Sequence, residues 1–282
     1  MVTCVVWSQV LYIPSLAPEL SQTPDTTPYP RISEEAFKAR LGFFSYDPSI
    51  PLDARVVREW DTDSSLRQKI VFRGAQGFWV PGYLEFPKHV TAPHPLVLLL
   101  HGWSGNKEQW YEDHNIISGG PMRKTLLTAG YAVLTLDAAT HGERSHEIDF
   151  QHVNAFNDPL APPTKNYFTF SEIAVQTVKD YRRALDYLKH RNEIDLSRVG
   201  LVGYSMGGMM AFYLLSVEPR IKAAAACVPP LYGQGYDPTA PIDYTWGIHD
   251  TPLLLLMGRQ DKLYIPAKAE ASFRAYLDRP NV

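Results

Sequence analysis

Residues 199–212 read Val199-Gly200-Leu201-Val202-Gly203-Tyr204-Ser205-Met206-Gly207-Gly208-Met209-Met210-Ala211-Phe212. An apolar, strand-like run ends, a serine stands between two glycines, and a helix-forming run begins. This is the setting of the G-x-S-x-G turn, which holds a serine at the tip of a sharp strand-to-helix corner. Bulky side chains two residues either side of that serine would collide, so glycine fills both places. The amides at the start of the following helix can stabilise an anion. Ser205 is therefore a candidate nucleophile. The plain alternative is a strand-to-helix turn that merely favours small residues.

Working outward, buried runs alternate with helical patterns. Pro95–Leu100, Tyr131–Asp137, Arg198–Val202, Ala223–Val228 and Pro252–Met257 read as strands. Between and after them, residues 120–129, 172–188, 209–215 and 267–277 read as helices. In the second of these, Val175, Val178, Tyr181, Leu185 and Leu188 recur at three- and four-residue spacing on one face. Apolar strands alternating with helices predict an α/β fold with a parallel sheet. Upstream, residues 69–73 and 78–86 flank Gly74-Ala75-Gln76-Gly77 and predict an antiparallel hairpin. Ser33 begins a short helix as its N-cap.

The chain has 282 residues, room for one large α/β domain or a domain with a small appendage. A net charge of −3 with no basic block argues against a nucleic-acid partner. Cys4 and Cys227 are far apart and suggest neither a metal site nor a disulfide framework. No stretch reaches the length of a transmembrane helix. Residues 1–30 read as a tail and linker, and residues 31–282 as the folded domain. A cytoplasmic location is expected; residues 1–17 as the remnant of a signal peptide would instead make the protein secreted or periplasmic.

Three motifs in order resemble the α/β-hydrolase family over about residues 65–282. They are His101-Gly102-Trp103-Ser104-Gly105, Gly203-Tyr204-Ser205-Met206-Gly207 and Met257-Gly258-Arg259-Gln260-Asp261, each after a buried strand. The hairpin ahead of the parallel strands is similar to the dienelactone-hydrolase and acetyl-esterase branch. The resemblance implies a mostly parallel central sheet with helices on both faces. It implies Ser205 as nucleophile, with the backbone amides of Met206 and Trp103 as oxyanion-hole donors. It implies Asp261 as the triad acid, with Asp237, Asp243 and Asp250 as alternates, and His101 as a brace for its loop. No cofactor and no metal are implied.

The triad order of this fold is serine, acid, histidine. None of the 21 residues after Asp261 is a histidine. The expectation is that the final strand and the catalytic histidine lie beyond residue 282. His141 is a possible substitute base and His249 a second; both also read as ordinary loop histidines. His141, His146 and His152 fit no metal-ligand spacing. Residues 142–170 read as an insertion loop, whose Phe150, Phe156, Tyr167, Phe168 and Phe170 could wall the site or pack the loop down. The short stretch between the last two strands leaves little room for a large lid. The function expected is a serine esterase acting on a small to moderate carboxylic ester through an acyl-enzyme at Ser205. The alternatives are a peptidase or thioesterase at the same site, or a catalytically impaired or non-catalytic binding domain. The oligomeric state is left open.

Overall fold

The computed structural model describes residues 2–3, 6–7, 10–11, 26–146, 169–233, 237–248, 251–259, 261 and 266–277. In chain order its elements begin with three short strands, β1 (Val2–Thr3), β2 (Val6–Trp7) and β3 (Val10–Leu11). Helix α1 (Glu34–Arg40) precedes β4 (Arg55–Asp61), β5 (Ser65–Arg73), β6 (Trp79–Pro87) and β7 (His94–Leu100). Then come α2 (Gly119–Thr128), β8 (Ala132–Leu136), α3 (Phe170–Leu188), β9 (Ile194–Tyr204) and α4 (Met206–Val217). The chain continues through β10 (Ile221–Cys227), β11 (Leu253–Gly258) and α5 (Pro266–Leu277). It divides into two compact units, Phe44–Gly200, and Met1–Phe43 with Leu201–Val282.

In the unit of residues 44–200, β5 and β6 form the expected hairpin, in register from Ser65↔Pro87 to Arg73↔Trp79. β5 starts four residues earlier than the sequence predicts. β4 adds a third antiparallel strand that the sequence does not announce. Its residues are exposed almost throughout, so no apolar alternation marks it. Arginine–aromatic contacts tie these strands together: Arg55 of β4 and Arg73 of β5 both lie over the Trp79 ring of β6, and Arg67 of β5 lies over the Trp60 ring of β4. β6 pairs antiparallel with β8, not with β7, which follows it in the chain; β7 pairs parallel with β8 across the α2 crossover.

β7 and β8 are apolar and almost wholly buried, as strands of a parallel sheet must be when both faces are covered. α3 opens with a capping box: Thr169 Oγ1 accepts from the Glu172 amide, and the Glu172 carboxylate accepts from the Thr169 amide. Its expected inner face buries Val178, Tyr181, Leu185 and Leu188. The Tyr181 hydroxyl donates to the Leu99 carbonyl and accepts from the Leu136 amide, joining α3 to β7 and the end of β8.

In the unit of residues 1–43 and 201–282, β10 and β11 pair parallel from Ala224↔Leu253 to Cys227↔Leu256. β1 lies antiparallel and β3 parallel to β11. α4 is apolar around its whole circumference and buried from Met206 to Leu215, as a helix enclosed on all sides requires. Residues 26–43 are fastened down by polar contacts. The Tyr29 amide donates to Ser272 Oγ, the Ile32 amide to the Tyr276 hydroxyl, and Trp246 Nε1 to the Ile32 carbonyl. Ser33 caps α1 through the Ala36 amide, as the sequence predicts. No helix among the described residues is long and apolar enough to cross a membrane.

Candidate active site

Ser205 stands at the junction of β9 and α4 with φ +50° and ψ −114°. A non-glycine residue is rarely found there, and holding it costs about 1–3 kcal/mol. The local sequence makes the corner possible. A Cβ on Gly203 would run into the backbone carbonyl of Gly207. One on Gly208 would lie 3.1 Å from the Cys227 carbonyl and 3.2 Å from that of Gly203. The Ser205 amide donates to the Cys227 carbonyl at 2.8 Å, and the Ser205 carbonyl accepts from Met209 at 2.9 Å. The corner is thereby tied to the end of β10 and to the first turn of α4. The Ser205 hydroxyl does not cap α4. The amides of Met206, Gly207 and Gly208 open that helix, where no preceding turn can accept from them.

Asp261 follows β11, with its amide donating to the Gly258 carbonyl at 3.0 Å and its side chain half-buried. Ser205 and Asp261 both leave C-terminal ends of strands in the same unit, the position from which side chains in open α/β sheets reach a ligand crevice. The alternate acids are engaged elsewhere. The Asp243 carboxylate takes the Arg40 guanidinium at 2.5 Å and the Tyr276 hydroxyl at 2.7 Å. Asp237 accepts from Thr239 and Tyr232. Asp250 lies outside the described residues. Cys227 is a free thiol pushed up to about 11 by burial.

The residues 101–107 loop, with Trp103, belongs to the other unit and is held by the segment after β8. His101 is buried, and its Nε2 accepts from the Ala138 amide at 3.0 Å. A backbone amide can only donate, so Nε2 carries no proton and Nδ1–H donates to the Gly102 carbonyl at 2.8 Å. Burial, with His141 beside it, lowers His101 to about 4 and keeps the ring neutral. His141 also faces backbone: Nε2 lies 2.7 Å from the Trp103 carbonyl and Nδ1 2.9 Å from that of Ala139. The Trp103 indole packs against the His141 ring and against Phe170.

The other end of this loop holds a buried ionic network with no clear signal in the sequence. Asp137, at the end of β8, accepts from the Lys107 amide at 3.0 Å, Lys107 Nζ at 2.7 Å and the Glu143 amide at 3.0 Å. Lys107 also reaches Glu143, which pairs with Lys69. Burial acts to lower the Lys107 ammonium, but Asp137 and Glu143 outweigh it and leave it raised. Gly142 stands at φ +54°, and a Cβ there would strike the Asp137 carboxylate. The cue for Asp137 was its place at a strand end; a fully buried lysine had none, because lysines read as surface. Phe150, Phe156, Tyr167, Phe168, His152 and His249, and the His146 side chain, lie outside the described residues.

Residues 95–251 match the family model of the alpha/beta hydrolase fold. The chain belongs to that family. The chain is 31% identical over 169 residues to the hydrolyase poxO of Penicillium oxalicum (strain 114-2 / CGMCC 5302), covering 60% of this chain and 34% of the relative. The chain spans between about a third and a half of the length of the curated relatives it matches. Its backbone is similar to the acetyl xylan esterase from Paenibacillus sp. R4, with a TM-score of 0.66 and 20% identity, over 93% of this chain and 91% of that one. It is also similar to acetyl xylan esterase 1 from Thermoanaerobacterium sp. JW/SL YS485, with a TM-score of 0.61 and 16% identity, over 89% and 85%. At these identities the structural likeness establishes the fold. The α/β-hydrolase fold expected from the motifs agrees with these neighbours.

Proposed function

We propose that this chain carries the nucleophile of a serine esterase acting on carboxylic esters of small to moderate size. The observation that carries this reading is the backbone of Ser205. A serine stands at φ +50° two residues after Gly203, where a Cβ would strike the Gly207 carbonyl, at the start of a buried helix and without capping it. Such strain persists only where the surroundings impose it, and it is concentrated at functional sites. In the proposed reaction Ser205 Oγ attacks the ester carbonyl and the alcohol leaves, giving an acyl-enzyme that water then cleaves. The Met206 amide stabilises the oxyanion of each tetrahedral intermediate. Asp261 orients the imidazole that takes the Ser205 proton. No histidine follows Asp261 in the sequence, so that imidazole is assigned to no residue of this chain.

Support for an ester of modest size comes from two acetyl xylan esterases among the structural neighbours. The short stretch between β10 and β11 adds to it, being too short for a large lid. The second reading, a hydrolase-fold domain without turnover, is favoured by one observation: both nitrogens of His141, the candidate substitute base, face carbonyls. Labelling with a fluorophosphonate probe separates the two. The esterase reading expects Ser205 to label, Ser205→Ala to lose the label, and p-nitrophenyl acetate to be cleaved faster than the octanoate. Failure of the chain to label overturns the esterase reading.

A further inference from the structure

Among the described residues of the unit that holds Ser205, two residues other than glycine have positive φ: Ser205 itself at +50° and Val228 at +44°. A β-branched residue is a genuine outlier in that region, where glycine or asparagine is the usual occupant. The two strained residues are neighbours in space, joined by one peptide. The Cys227 carbonyl accepts from the Ser205 amide at 2.8 Å. On the other side of the same peptide bond, the Val228 amide donates to the Leu256 carbonyl of β11 at 2.6 Å. A planar peptide held at both ends fixes where Val228 begins. Standard bond lengths then place the Val228 α-carbon within about 6 Å of the Ser205 nitrogen.

The chain beyond Val228 is held as well. A Cβ on Gly208, in the first turn of α4, would lie 3.3 Å from the Pro229 Cβ. Pro229, Pro230 and Leu231 are buried, but Val228 stays partly exposed. Full burial therefore does not repay its strain. Strained residues persist where the surroundings impose them, and they gather at ligand sites. Val228 directly follows the C-terminal end of β10, and ligands of open α/β sheets bind outside those strand ends. It is an apolar residue, left partly open, beside the candidate nucleophile.

We propose that Val228 is a specificity-determining residue, the wall that limits the length of the acyl chain at Ser205. The proposal rests on the reading of Ser205 as an esterase nucleophile. In that reaction the acyl carbon becomes bonded to Ser205 Oγ, while the alcohol leaves in the first step. The acyl chain is thus the part of the substrate that must fit beside the immediate neighbours of Ser205 in both steps. An apolar wall selects by the methylenes it excludes, each worth about tenfold or more.

The test compares the intact chain with Val228→Ala and Val228→Gly on p-nitrophenyl acetate and octanoate. Both variants are expected to raise the octanoate-to-acetate ratio of kcat/KM about tenfold. A second series keeps the acetyl group and enlarges the alcohol from phenyl to naphthyl; its ratio is expected to follow that of the parent. An unchanged octanoate ratio in both variants overturns the wall, and so does a shift confined to the alcohol series. Urea unfolding of the same two variants checks the strain and shows that the ratios come from folded chains. Glycine accepts φ +44° and alanine does not, so the Gly variant is expected to have the higher midpoint, the reverse of the order at an ordinary strand site. A higher midpoint for Ala removes the strain on which the assignment stands. A parent chain that cleaves no ester and takes no fluorophosphonate label brings down the esterase reading and the wall with it. A parent that turns over while the octanoate ratio stays fixed brings down the wall alone.

Discussion

At Gly203 the absence of a side chain is a steric requirement. A Cβ at this position meets a backbone carbonyl of the following helix, which cannot swing aside as a flexible side chain could. Gly203→Ala is expected to lower unfolding stability by about 2–3 kcal/mol in urea titrations, the range for forcing extra volume into a packed site. Gly42→Ala is the matched control. A Cβ there meets nothing within 4 Å, so its midpoint should stay near or slightly above that of the parent chain. Equal losses in the two variants would mean that the corner relaxes freely and that Ser205 is not strained. The corner was legible because glycine, serine and the switch from strand to helix patterning fall within a few adjacent residues. The contacts of His141 were not, because they run to the backbone carbonyls of Ala139 and Trp103, which every residue type carries alike.

At the scale of the elements, the loop after β7 and the segment after β8 are joined by Lys107 and Asp137. Removing one partner of a buried ion pair strands the other charge, at a cost of about 3–5 kcal/mol. Lys107→Met is expected to fall in that range by denaturant unfolding. Adding Asp137→Asn should recover part of the loss, because the amide oxygen can still accept from a backbone amide while the stranded charge is gone. A double variant as unstable as the sum of the single changes would show that the pair is not coupled. Most strands and helices could be placed from their periodicity. β5 was expected short, and β4 was not expected, because its outward residues carry no alternation. Lys107 was hidden for a different reason: its burial depends on Asp137, thirty positions further on, and pairings of that kind leave no local pattern.

Across the whole molecule, buried titratable groups pull the pH dependence of stability in opposite directions. His101 is lowered to about 4 from a usual 6.5, so between those values the unfolded chain binds more protons than the folded one. Its contribution is complete above pH 6.5 and is lost as pH falls toward 4, about 3 kcal/mol at about 1.4 kcal/mol per unit. Burial raises Asp180 and Asp243, despite their partners Arg144 and Arg40, so each favours the folded state as pH falls. His101→Gln, an amide able to accept and donate in place of the ring, removes only the first contribution. Between pH 7 and 4 the parent chain is expected to lose about 3 kcal/mol more than this variant in urea unfolding. Parallel profiles would mean that His101 titrates normally. The order of elements and the α/β class were open to reading along the chain. The division into two compact units was not, because it depends on which distant segments pack together. β4, finally, ends its run of antiparallel strands with Arg55, Arg58, Glu59 and Asp61 turned outward. Charges along such a margin hinder a neighbouring chain from adding a strand of its own. The segment that escaped sequence patterning thus bears on colloidal behaviour: it discourages rim-to-rim association when many copies are crowded together.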